Sequence, residues 1–494
     1  MKMQIGYFGI LLTGLAISCQ SGKRDAKLII NPDTDQKNIL FNPVEPDYNT
    51  PNLILPEGFT YDILFAESDT VRTANGKAPA KGNHDLIIYI PDNNRSDKGT
   101  LYVSHETLVI DPHAGDGGGA TLLDVVFENG KWVVIGEKRN VDFSTVGGTV
   151  YNCGGTLTPK GTVLTAEELF PSSLSELKNP QITSLRGMNH MTKEEHMGWM
   201  VEVDPIKGEA IQKVYNFGRY THEDAYCTPD GKTVYLTDDY CPAIFFKFET
   251  TNPNDYSSGQ LYAYQQSQDG LSGRWLAMPM DIRSLIHIRD TAIAKGATMF
   301  VRQEWIQEAN GKIYISETGY DSLNLSVHIQ NGGTVPHYLE KNHKTGDGIY
   351  ADPFGRILVF DPITLQMEVL LDGGPIEKDG GHFANPDALH IAYLQEKPYI
   401  IISEDLTGLS MGRVSKEAEE KGWLINEIYF LDLTIAKPTR NDLMRFAVGP
   451  RGCETTGSYF TPDGKTYFVN IQHPDKSNPP PFNRSTTIAI RGFP

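Results

Sequence analysis

Residues 229–239 read PDGKTVYLTDD. Pro-Asp-Gly is a tight-turn signal, in which proline fixes one φ and glycine supplies a left-handed one. The run that follows, Thr233–Thr237, is β-branched and aromatic, so it reads as a strand, and it closes on two acids, Asp238 and Asp239. The same plan recurs along the chain. β-rich runs ending on acidic or amide residues appear as TLYVSHE (100–106), TVLTAEE (162–168), KIYISET (312–318), YIIISED (399–405) and TYFVNIQ (466–472), six copies in all with the first. PDGKT itself returns at 462–466, and PKGT at 159–162 and NGK at 310–312 are weaker relatives.

The copies stand roughly sixty to ninety residues apart, which suits four-stranded blades with long insertions and is too wide for a solenoid coil. The 47 glycines and 30 prolines spread along 494 residues agree with short strands and frequent turns. The reading is an all-β chain, a six-bladed β-propeller with helical insertions expected near 169–177, 281–294 and 414–422. A jelly roll or paired sandwiches is the alternative.

The N-terminus has a basic start at Lys2, an apolar run from Ile5 to Ile17 and small residues before Cys19. That is an export signal, too short to span a membrane, and AISC resembles a bacterial lipobox. Residues 1–19 are therefore expected to be a lipoprotein-type signal peptide, with the mature chain held to the membrane by a lipid on Cys19 in the cell envelope, at the periplasm or outer membrane. Residues 20–52, polar and without periodicity, read as a flexible tether, and 53–494 as the propeller catalytic domain. A net charge of −18 excludes a nucleic-acid-binding surface, which needs basic patches. Cys153, Cys227, Cys241 and Cys453 are too few for a disulfide framework, although Cys227 and Cys241 flank one strand-like run and could pair.

Propeller geometry gives the repeated acids a role. If each run lies near the central channel, acids from different blades converge at its mouth. Convergent carboxylates must be protonated, solvated or neutralised by cations, and calcium is the most available hard cation outside the cell. Cys153, in NCGGT, calls for a softer or redox-active metal such as zinc or iron, and Gly154 and Gly155 allow close backbone approach. FGRYTHEDAY (217–226) places Arg219, His222 and Glu223 just before a strand. MFVRQEW (299–305) puts Arg302 and Glu304 two apart on one strand face, an arrangement suited to a phosphoryl group whose remaining charge a metal neutralises. KGNHDLIIYIP, around Asn83 and Asp85, and the stretch 452–474 are polar at strand boundaries. Taken singly, each of these also reads as a packed or solvated residue.

Together, NCGGTLTPKGTVLTAEE, MVEVDP, GRYTHED, VYLTDD, VRQEW and TGSYFTPDGKTYFVNIQHP resemble, in order and spacing, the motifs of the PhoX-type alkaline phosphatases, from about Leu55 to His473. The resemblance implies a propeller with a pair of ferric ions, Fe(III), and several calcium ions, Ca2+, at the end of its channel, hydrolysing small phosphomonoesters. Carried over by motif, Cys153, Glu168, Glu223 and Glu304 are metal ligands and Arg302 holds the transferring group. A monomer is expected. Two other functions remain open on the same scaffold: a calcium-dependent, lactonase-like hydrolase with no use for Cys153, and a non-enzymatic propeller that binds a surface partner.

Overall fold

The computed structural model describes residues 40–108, 117–168, 191–192, 194–374, 383–406 and 425–494. Within them, each acid- or amide-ended run is a strand of a different sheet: Lys98–His105, Val163–Glu167, Thr233–Asp238, Lys312–Glu317, Lys397–Glu404 and Thr466–Gln472. These strands are buried along nearly their whole length on both faces, because each is sandwiched between neighbouring sheets. Two-sided burial is why they read as continuous apolar runs instead of alternating ones.

In every one of these sheets the run is the second strand. The first, at the sheet's edge, is His84–Pro91, Asn152–Leu157, His222–Cys227, Gln303–Ala309, Pro386–Leu394 or Glu454–Phe460. These edge strands touch one another in chain order, and the last returns to touch the first. The sheets, each of four or more strands and none curled into a barrel, therefore radiate as blades from a shared axis. The ring is fastened by the N-terminal strand Thr60–Ala66, which pairs antiparallel with the C-terminal strand Thr486–Arg491.

The turns that gave the pattern its signature behave alike. In Thr228–Thr233 and again in Thr461–Thr466, the first threonine's N–H donates to the last one's carbonyl at 2.9 Å and its hydroxyl donates to the aspartate at 2.7 Å. Gly231 and Gly464 both take φ +68°, which only glycine adopts without strain.

Within the segment 20–52 read as a tether, Leu40 and Phe41 are 5 % exposed, and Phe41 lies 5.2 Å and 5.0 Å, centroid to centroid, from Phe430 and Phe446. Two aromatic-lined positions in an otherwise polar stretch leave no periodicity to read. Cys227 and Cys241 do not pair, and both are free thiols. The acid-ended runs lie one strand out from the axis, so the innermost positions belong to the strands that precede them.

Helices Ile282–Ile286 and Ile288–Ala294 occupy the segment predicted at 281–294, with Asp281 accepting from the Ser284 N–H at 3.1 Å as the cap. Ser326–Gln330 and His337–Asn342 are additional helices, too short for a periodic signal. The helices expected at 169–177 and 414–422, the signal peptide, and the tether up to residue 39 lie outside the described residues.

Candidate metal centre

Each edge strand starts at the same end of the axis, and the acid-bearing ends of the second strands arrive there too, because paired strands run antiparallel. Near the start of all six edge strands the pairing register slips, between His84 and Ile87, Thr165 and Glu167, His222 and Ala225, Gln303 and Ile306, Pro386 and Leu389, and Thr456 and Tyr459. Such bulges bend a strand and re-aim its side chains. The bulges of five edge strands hold Asp85, Cys153, Glu223, Glu304 and Asp387; in the sixth the slip falls after Glu454, which pairs in register with Gln472 at the strand's first position.

Their ligand atoms cluster. Asp85, Cys153 and Glu223 form one group, Glu223, Glu304 and Asp387 a second that shares Glu223, and Asp405, Glu454 and His473 a third, with the donor atoms of each group within 4.8 Å of one another. That spacing lets the donors of one group share a single cation.

The acid pairs of the sequence divide between two tasks, because neighbouring residues in a strand point to opposite faces. The first acid of a pair turns into the protein, and so does the lone Glu317, which precedes Thr318. Glu167 accepts from Lys213 Nζ at 2.7 Å and from the Trp199 N–H at 3.2 Å, and Asp238 accepts from Arg289 Nε at 2.9 Å and the Ile244 N–H at 3.1 Å. Glu317 accepts from the Tyr338 hydroxyl at 2.5 Å and pairs with Arg356 at 3.3 Å. The residue at the next position, Glu168, Asp239 or Asp405 in a pair and Glu106 after His105, is the one whose charge acts on the ring.

Burial and mutual repulsion make this set hold its protons more tightly than ordinary carboxyls do. Burial pushes Asp85 up to about 7. Burial first, and then the neighbouring carboxylates, push Glu106, Glu168, Glu223, Glu304, Asp387 and Glu454 well above the carboxylate range. The Cys153 thiol is pushed up for the same reasons, Glu223 being the strongest neighbour. It is 1 % exposed and donates to the His222 carbonyl at 3.3 Å. Glu106 and Glu168 hydrogen-bond carboxyl to carboxyl.

Of the residues the sequence singled out, Cys153, Glu223 and Glu304 therefore enter donor groups, and Arg302 Nη2 lies 3.1 Å from Glu304 Oε1. Glu168 stands beside the groups, paired with Glu106. Arg302 and Glu304 do not share a strand face: Arg302 precedes the strand at φ +49°, and the left-handed turn brings its side chain round to Glu304. Gly154 and Gly155 serve strand packing, since a Cβ would lie 2.5 Å from the Glu223 carbonyl at the first and 2.1 Å from the Leu164 carbonyl at the second. His222 is a packed histidine, its Nε2 2.9 Å from the Gly218 carbonyl and its ring 3.7 Å from that of Tyr220; burial lowers its pKa to about 3. Arg219 donates to the Met197 and Glu194 carbonyls at 2.7 and 2.6 Å, a structural role.

Asp387 has no sequence motif of its own, and no local signal separates Glu454, Asp405 and His473 from the polar residues around them. The signal that finds them is position: each edge-strand ligand lies one strand upstream of an acid-ended run, just inside a polar-to-apolar boundary.

A family model described as alkaline phosphatase PhoX matches residues 129–475. A search of curated proteins finds no match. Among solved structures, this chain is similar to Pseudomonas fluorescens PhoX in complex with vanadate, a transition state analogue, with a TM-score of 0.68 and 20 % identity over 92 % of this chain and 98 % of that one. More distant similarities include Trypanosoma rangeli sialidase with sialic acid, with a TM-score of 0.39 and 10 % identity over 88 % and 59 % of the two chains. Pseudomonas aeruginosa periplasmic gluconolactonase has a TM-score of 0.36 and 11 % identity over 90 % and 96 %.

Proposed function

Because the chain belongs to the PhoX alkaline phosphatase family, we propose that its inner ring is a mixed iron and calcium centre at which phosphate monoesters are hydrolysed. The observation that carries the reading is the convergence of one ligand-bearing residue from each of the six edge strands into donor groups spanning at most 4.8 Å. Buried carboxyls and a buried thiol gathered this closely are costly without compensating positive charge, so their chemistry fits bound cations.

The Cys153 thiol, with Asp85 and Glu223, suits iron, since thiolate is a soft ligand. The all-oxygen group Glu223, Glu304 and Asp387 suits calcium or ferric iron, with Glu223 placed to bridge to the first group. Asp405 and Glu454 offer further oxygen ligands, with His473 Nε2 3.3 Å from Glu454. When bound, the cations supply Lewis acidity toward phosphoryl oxygens and lower the pKa of water. The chain supplies the rest. Cys153 and the ring carboxyls release their protons as the cations bind. Arg302, which burial alone would make less basic, is held well above its ordinary value by Asp239 and then Glu304, so it stays charged to grip the transferring group. The relative captured with vanadate binds a mimic of that group.

Envelope location, the lipid on Cys19, a small phosphomonoester substrate and a monomeric state belong to the same proposal, resting on the sequence. The test is hydrolysis of p-nitrophenyl phosphate by the full chain before chelation, after it, and after iron and calcium are restored. Loss and recovery support the reading, and a metal-loaded chain without hydrolysis overturns it.

A further inference from the structure

We propose that Asp239 is a positioning residue that aims the Arg302 guanidinium at the phosphoryl group, an inference that rests on the phosphatase reading above. Arg302 Nε and Nη2 donate to the two oxygens of Asp239 at 2.8 and 3.0 Å, a bidentate fork that fixes both the distance and the plane of the guanidinium. Nη2 also meets Glu304 Oε1 at 3.1 Å, and Glu304 is in turn steadied by the Thr318 hydroxyl. Among the described residues Nη1 has no partner, and with the Arg302 side chain 20 % exposed it is the end of the fork left for a substrate oxygen.

Asp239 is itself held rigidly. Its side chain is 8 % exposed, and its N–H donates to the Thr221 carbonyl at 3.0 Å. The residue before it, Asp238, is locked by Arg289, by the Thr221 hydroxyl at 3.0 Å and by the Ile244 N–H. The Arg302 backbone is pinned on both sides, its N–H donating to the Tyr240 carbonyl at 3.0 Å and its carbonyl accepting from the Thr318 N–H at 3.1 Å. These bonds hold Arg302 at φ +49°, a left-handed conformation that is strained for a non-glycine residue. Two adjacent blades thus fix one arginine, with Asp239 as the contact that sets its direction.

The rival role for Asp239 is that of a cation ligand, and the experiment separates the two. Full-length, metal-loaded wild type, Asp239→Asn, Arg302→Lys and the double variant are compared for kcat and KM on p-nitrophenyl phosphate, for the dissociation constant of inorganic phosphate by calorimetry, and for iron and calcium content. A positioning role predicts that Asp239→Asn lowers kcat/KM and phosphate affinity by about 10- to 100-fold, the range expected for losing a charge-assisted fork, at unchanged metal content. It also predicts that the double variant is no worse than Arg302→Lys. Loss of metal in Asp239→Asn, or losses that multiply in the double variant, would overturn it. If Asp239→Asn does not fold, Asp239→Glu, which keeps the charge and displaces the fork, is judged by the same two outcomes. A wild type that binds phosphate without hydrolysing p-nitrophenyl phosphate sinks the monoesterase reading and leaves Asp239 to be decided on phosphate affinity; a wild type that does neither overturns both.

Discussion

Stripping the cations should make the protein progressively less stable as pH rises above neutrality. A carboxyl whose folded pKa is raised binds its proton more tightly in the native state than in the unfolded chain. Its contribution is therefore full below the unfolded value and is lost as pH rises through the folded one. Asp85, moved from 3.8 to about 7, withdraws on the order of 4 kcal/mol by the time pH has passed its folded value. Glu106, Glu168, Glu223, Glu304, Asp387 and Glu454 are raised in the same direction by burial and by their neighbours, so they add to the loss as pH rises. Buried imidazoles oppose this at lower pH. His84, His196 and His222 sit at about 3 and His390 at about 4, and they add stability only until pH passes the ordinary histidine value near 6.5. The window from pH 7 to 8 therefore isolates the carboxyls. Thermal unfolding of chelated and calcium-loaded protein at fixed ionic strength should show the metal-free midpoint falling across it, while the stabilisation by calcium grows. A metal-free midpoint that is flat or rises, or a calcium effect independent of pH, would refute the reasoning.

Three further outcomes follow from the same geometry. Cys153→Ser should lower iron content while sparing calcium and reduce p-nitrophenyl phosphate hydrolysis at least about tenfold, a typical cost of disturbing a metal site; iron retained at the wild-type level would contradict the assignment. Glu223→Gln, which touches two donor groups, should cost more bound metal by elemental analysis than Glu454→Gln, which touches one. Gly154→Ala should destabilise the fold by about 1–3 kcal/mol in urea unfolding, because its Cβ would press on the Glu223 carbonyl from 2.5 Å; an unchanged midpoint would show that the edge strands can separate freely.

The blades were legible because their second strands are buried on both faces and carry the full apolar run, while PDGKT marks its hairpins by chemistry that both copies keep. The edge strands were not, because their first residues face a polar channel and their later ones the core, so that HDLIIY or PDALHIAY shows neither alternation nor an acid at its end. For the site, Cys153, Glu223 and Glu304 were readable through their motifs, whereas Asp387 depends on a bulge and on pairing with a strand downstream. Acidic pairs such as Glu167–Glu168 looked uniform in sequence and divide only once the pleat sends one member to Lys213 and the other toward the axis. The link between Arg302 and Asp239 joins residues 63 positions apart on different blades, and no local pattern announces it.

Elemental analysis of the purified full chain, on the same preparation used for hydrolysis, tests the central claim most directly. Iron and calcium present together, with both iron and activity lost on chelation, is the result the ring of Asp85, Cys153, Glu223, Glu304, Asp387 and Glu454 predicts. Calcium without iron, and no hydrolysis after iron is resupplied, would contradict it.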